Sequence, residues 1–248
     1  MVKYSVCLDA VFSGQDILNS IEKVHECGLD TVEFWGFEEK NLNDIKQLTQ
    51  KLGMNISTFC AKPTGLNDRA TFELFLEDLK SAASAAKLLN VDRLITLVGQ
   101  DTGESIETQH QNIVDCLKFA LPYLEENKIT LLIEPLNIAV DHKGYSLYYS
   151  KDAFNIVNAV DSPFVKVIFD IYHQQITEGN LISNIVNNID RIGHFHAAGN
   201  PGRHELNIGE INYAEIFKAI AETDYNGYVG LEYFPVGDIT DSLLKLPK

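Results

Sequence analysis

The sequence predicts an α/β protein, a single (β/α)8 TIM barrel occupying residues 1–248 as one domain. Three observations carry that expectation. Short β-branched runs alternate with amphipathic segments about eight times, at about 31 residues per unit. Most of the runs are continuously apolar, as parallel strands covered by helices require. The length of 248 residues is ordinary for one such barrel. A doubly wound sheet is the main rival, but no glycine-rich phosphate loop follows the first run.

Taken in order, the first strand is YSVCL (4–8), followed by Ile17, Ile21 and Val24 on one helix face. Gly28 stops that helix before the strand TVEFW (31–35), and Gly53 stops the next before NISTF (55–59). Phe72, Phe75, Leu76, Leu79, Ala83 and Ala86 mark a long helix ahead of RLITLVG (93–99). Ile113, Leu117, Ala120 and Leu124 mark another ahead of ITLLIEP (129–135). Ser150 is the expected N-cap before Phe154, Val157 and Val160, leading to VKVIFD (165–170). IGHFHAA (192–198) and GYVGLEY (227–233) complete the set, and no linker or charge block divides the chain.

Composition narrows the function classes. Hydrophobic residues make up 45% and charged residues 22%, as in a globular protein with a large core. No apolar stretch reaches the roughly 18 residues of a membrane span, so no membrane partner is expected. The N-terminus reads as a strand and not as a secretory signal. Cys7, Cys27, Cys60 and Cys116 lack CxxC spacing and suit reduced thiols in a cytoplasmic enzyme. A formal charge of −15 repels phosphate backbones, so no nucleic-acid partner is expected either.

Four runs end on side chains that favour metals. LLIEPLN carries Glu134, VIFDIYH carries Asp170, GHFHAAG carries His196 and VGLEYF carries Glu232, at intervals of 36, 26 and 36 residues. Each interval is about one strand–helix unit, which places all four at the ends of consecutive strands. A buried carboxylate is costly unless something compensates it. Singly, each acid is as readily a salt-bridged or capping residue, and His196 a hydrogen-bonded core histidine. Four such coincidences at one end of successive strands are much harder to accept. Chemistry in an eightfold barrel gathers at that end. Three carboxylates and one imidazole form a mostly hard ligand set, suited to one divalent ion: Mn²⁺, Mg²⁺ or Co²⁺.

Other residues are weighed beside this set. His194 shares a strand side with His196 and reads as core or as support for the ligands. His173 reads as a hydrogen-bond donor to substrate, and Arg203 as a fork for a substrate carboxylate. Trp35 and Phe59 end early strands and could wall the pocket, though core packing is the commoner role. Glu33 is a second-tier candidate. His25, His110 and His142 fit surface or helix positions and receive no role.

IEPLN, FDIYH, GHFHAAGNPGRHELNIGEINY and GYVGLEYFP resemble the hydroxypyruvate isomerase family. That family lies within the xylose-isomerase-like barrels, which also hold ketose 3-epimerases and apurinic endonucleases. The similarity spans the whole chain and is densest over residues 129–235. It implies one divalent cation among Glu134, Asp170, His196 and Glu232, with Glu134 and Glu232 as the acid–base pair. It implies His173, Arg203 and Glu205 as substrate contacts. The reaction implied moves a proton between adjacent carbons of a short hydroxy-keto acid through an enediolate. Hydroxypyruvate with tartronate semialdehyde, or a 2-oxo-tetronate, would be the substrate. One position departs: His196 stands where hydroxypyruvate isomerases often carry Gln and sugar epimerases carry His. A ketose 3-epimerase acting on a ketose is therefore the alternative. An apurinic endonuclease would need histidines ending the third and fourth strands, where Phe59-Cys60 and Gly99-Gln100 stand. A non-catalytic sugar-binding barrel would have a broken ligand set. Barrels of this superfamily are often dimers or tetramers, so a homo-oligomer is among the implied partners.

Overall fold

The computed structural model describes residues 2–247. Eight strands, β1 (Lys3–Cys7), β2 (Thr31–Phe34), β3 (Asn55–Cys60), β4 (Arg93–Thr96), β5 (Thr130–Ile133), β6 (Val165–Asp170), β7 (Ile192–Ala197) and β8 (Tyr228–Leu231), close into a barrel in chain order. Every neighbouring pair is parallel, including β1 with β8. The expected barrel and all eight strand positions are therefore present. The strands read at 93–99 and 129–135 are shorter than expected because their last residues leave the ladder and enter the loops that carry the site.

The helices are α1 (Leu8–Val11), α2 (Ile17–Glu26), α3 (Leu42–Leu52), α4 (Phe72–Leu89), α5 (Ile106–Asn127), α6 (Ser150–Val160), α7 (Ile171–Thr177), α8 (Leu181–Asn187), α9 (Tyr213–Ala221) and α10 (Ile239–Leu244). Side chains cap several N-termini. Asp16 accepts from Asn19 N at 3.0 Å, and Ser105 accepts from Thr108 N at 3.1 Å. Gly53 closes α3 at φ 67°, as its position predicts. Asn90, Lys128 and Asp161 close α4, α5 and α6 in the same left-handed region without being glycine. Ser150 is not the cap expected of it: Tyr149 occupies that position without a side-chain bond. The Ser150 hydroxyl instead donates to Glu178, a partner remote in sequence.

Strand residues alternate between two apolar environments. Ile95, Leu132 and Ile168 form a small cluster of their own inside the barrel. Their neighbours Leu94, Leu131 and Val167 join the large cluster that unites the barrel wall with the helices. Burying some 60 apolar side chains in this way supplies the main driving force for closure. Among the described residues no helix is long and apolar enough to cross a membrane.

Candidate metal centre

Asp170 is the last residue of β6, His196 the fifth of β7, and Glu134 and Glu232 each lie one residue beyond β5 and β8. Register aligns Asp170 with His196 and His196 with Gly230, two residues before Glu232. The barrel thus brings one donor atom from each of the four residues within 4.8 Å of the others, and all four side chains are buried. A second group of donors, Glu33, His194 and His196, lies just beneath.

Each donor is oriented by the chain around it. Asp170 caps α7, accepting from His173 N at 3.1 Å through Oδ1 and leaving Oδ2 for the centre. His196 directs Nδ1 at Glu232 Oε2, 2.9 Å away, and at Glu134 Oε1, 3.3 Å away. Its Nε2 sits 2.8 Å from Glu33 Oε1. Glu232 accepts from Trp35 Nε1 at 2.6 Å, and Arg203 reaches it through one terminal nitrogen at 2.5 Å. The same nitrogen stands 3.5 Å from Asp170 Oδ2.

Electrostatics follow from this crowding. Burial pushes the Asp170 carboxyl up, partly countered by the Arg203 charge. Burial would raise Glu232 too, but Arg203, then His196 and the Trp35 N–H, outweigh it and hold Glu232 well below the usual carboxylate range. Three carboxylates face one guanidinium and one imidazole. That excess of buried, hard oxygen donors gathered round one imidazole nitrogen fits a divalent cation.

Arg203 reaches this position through a strained backbone, with φ at 56°, a region that costs a branched or long residue about 1 kcal/mol. Its carbonyl is pinned by Phe234 N at 2.8 Å.

Above the four donors opens a cleft of about 330 Å³ whose wall includes Trp35, Lys62, His142, His173 and Arg203. His173, read as a donor to substrate, lies fully buried on α7. Its Nδ1 is 2.6 Å from Asn137 Nδ2, which has only hydrogens to offer. The ring therefore carries its proton on Nε2, and that buried N–H has no hydrogen-bond partner among the described residues, Asp170 Oδ2 standing 3.6 Å away. Burial, then Arg203, pushes the pKa of this ring down to about 3, so it is neutral.

Other expectations are corrected. Glu205 is not brought to the cleft: its carboxylate accepts from Val236 N at 3.1 Å and ties down the loop after β8. Trp35, read as a core residue, is 36% exposed at the cleft mouth and bonded to Glu232. His142, assigned nothing, lines the cleft, its ring 5.1 Å from that of His173. Its signal was faint, since it falls in the irregular stretch between β5 and α6. A cavity of about 200 Å³ at the opposite end of the barrel is lined by Arg93, Lys166, Asp190 and Asp224, far from these donors.

Residues 21–246 match the family described as xylose isomerase-like TIM barrel. The chain is similar to hydroxypyruvate isomerase of Escherichia coli K12, at 33% identity covering 95% of this chain and 94% of that protein. It is similar to 2-oxo-tetronate isomerase of Pectobacterium atrosepticum, at 28% identity covering 98% and 96%. Among solved structures it is similar to one described as an AP endonuclease, family 2, from Brucella melitensis. There the TM-score is 0.93 and the identity 26%, covering 98% of this chain and 97% of that one.

Proposed function

The chain belongs to the xylose isomerase-like TIM barrel family, and on that premise we propose that it is a metal-dependent isomerase of a short hydroxy-keto acid. Hydroxypyruvate or a 2-oxo-tetronate is the substrate suggested by the relatives' names. The observation that carries this reading is the convergence of Glu134, Asp170, His196 and Glu232 within 4.8 Å at the ends of four consecutive strands.

Glu134, Asp170, His196 and Glu232 would hold a divalent ion, which would supply positive charge that lowers the barrier to losing a proton beside a carbonyl. Glu134 and Glu232 act as the acid–base pair, one removing the carbon-bound proton and the other returning it to the neighbouring carbon through an enediolate. The bonds from Trp35 and Arg203 hold Glu232 ionised and ready to accept a proton. The free Nε2–H of His173 donates to a substrate oxygen, where the charge develops. Arg203 adds its charge to the cleft wall beside a carboxylate-bearing substrate. Glu205, bound to Val236, takes no part.

A ketose 3-epimerase uses the same donors and returns the proton to the opposite face of one carbon; His196 in the ligand set favours this second reading. Cleavage of DNA is disfavoured by the −15 charge and by Cys60 and Gln100 at the positions where extra histidines would be needed. The deciding experiment incubates Mn²⁺-loaded protein in deuterated water with hydroxypyruvate, a 2-oxo-tetronate and a series of ketoses. Deuterium entering the keto acids supports isomerisation. Exchange confined to ketoses moves the assignment to epimerisation, and no exchange in either series refutes both.

A further inference from the structure

Glu33 lies on β2, separated from β7 by β1 and β8 in the closed ring, and is 2% exposed. A carboxylate so placed needs partners, and it has three. His196 Nε2 lies 2.8 Å from Oε1, His194 Nε2 lies 2.9 Å from Oε2, and Ser57 Oγ donates to Oε2 at 3.1 Å. Ser5 Oγ in turn lies 2.7 Å from Ser57 Oγ. Among the described residues no lysine or arginine touches Glu33, so its ion-pair partners are the two histidines beneath the cleft.

The two nitrogens of His196 therefore have divided duties. Without an ion, Nδ1 donates toward Glu232 and Glu134; a bound ion would displace that proton and take the Nδ1 lone pair, while Nε2 keeps its own proton by donating to Glu33. Gly230 makes the arrangement possible. A Cβ there would lie 2.3 Å from Glu33 Oε1 and 2.6 Å from His196 Cδ2, in the space the pair occupies. The backbone at Gly230 is not in the left-handed region, so lack of a side chain is the property used.

We infer that Glu33, in the space left by Gly230, is a positioning residue that holds His196 with Nδ1 turned toward the ion. The inference rests on the metal reading above and adds a residue to it. It also assigns Glu33, His194 and His196 to a hydrogen-bonded support and not to a second ion site.

Mn²⁺ binding can be read without turnover through the fluorescence of Trp35, the sole tryptophan, whose indole touches Glu232. Wild-type protein is expected to bind one Mn²⁺ per chain. Glu33→Gln places an amide N–H₂ against one histidine and is expected to weaken binding about 10- to 100-fold with its circular dichroism unchanged. Gly230→Ala is expected to do the same with Glu33 intact, and Glu33→Asp to recover part of the loss. In wild-type protein loaded with Co²⁺, one shifted exchangeable proton resonance is expected from His196 Nε2–H, altered in Glu33→Gln. A wild type that binds no metal refutes the metal reading itself. Wild-type binding that is weakened by His196→Ala but not by Glu33→Gln overturns this inference alone, as do two ions per chain. Should Glu33→Gln fail to fold, the wild-type cobalt spectrum decides: an absent exchangeable resonance overturns the inference.

Discussion

Trp35 and Glu232 meet across the seam of the barrel, the indole Nε1 donating to Oε1 at 2.6 Å from the loop after β2. A bond from a neutral donor to a buried carboxylate is worth about 1.5–3 kcal/mol, which favours the ionised acid. Trp35→Phe keeps the ring and removes the donor. Turnover is expected to fall about 10- to 100-fold, with the acid limb of the rate profile moved to higher pH. An unchanged profile would mean that the bond serves packing alone.

Glu134→Gln and Glu232→Gln should each reduce turnover by at least about 10²-fold, the usual contribution of a positioned acid or base. Solvent deuterium exchange into substrate is the sensitive measure. A variant that still exchanges at the wild-type rate removes its residue from the acid–base pair.

Arg203 compensates both Glu232 and Asp170, and its side chain is only 15% exposed. Arg203→Ala leaves two buried carboxylates without that charge, a loss of about 3–5 kcal/mol when metal is absent. Thermal melting with and without Mn²⁺ is the check: the deficit should shrink when the ion supplies positive charge. An equal deficit under both conditions would contradict this account.

His173 gives a pH signature in the metal-free protein. Its folded pKa of about 3 lies below the ordinary histidine value of about 6.5, so the unfolded chain takes up a proton that the folded chain refuses. Stability contributed by this site is whole above about pH 6.5 and is lost as pH falls toward 3, by up to about 1.4 kcal/mol per pH unit. Asp170, pushed upward by burial, works in the opposite direction in both proteins. His173→Gln should therefore lose stability less steeply over that window in urea titrations. Parallel curves would show that the ring takes up its proton in the folded state.

The barrel and its four donors could be read from the sequence because both depend on short-range regularities. Apolar runs at a fixed spacing mark the strands, and Glu134, Asp170, His196 and Glu232 interrupt them at equivalent depth. What escaped depends on contacts distant in sequence. Trp35 looks like any aromatic residue at a strand end until the closed ring places Glu232 beside it, 197 positions away. Glu33 acquires meaning only from His194 and His196 on β7, reached once the ring has closed. Glu205 sits in a motif close to Arg203, yet the loop turns it toward Val236. Ser150 has the chemistry of a cap, but a remote carboxylate claims its hydroxyl.

The four clustered donors, Glu134, Asp170, His196 and Glu232, all come from the last four strands, whereas Glu33, Ser57 and Trp35 arrive from β2, β3 and the loop after β2. A fragment holding only the C-terminal half would own every ligand yet present His196 unsupported and Glu232 without its indole partner. If these donors hold a cation as proposed, its tight capture would demand that the first strand has already zipped against the eighth. Affinity for Mn²⁺ becomes a gauge of ring completion during refolding, readable before any catalysis begins.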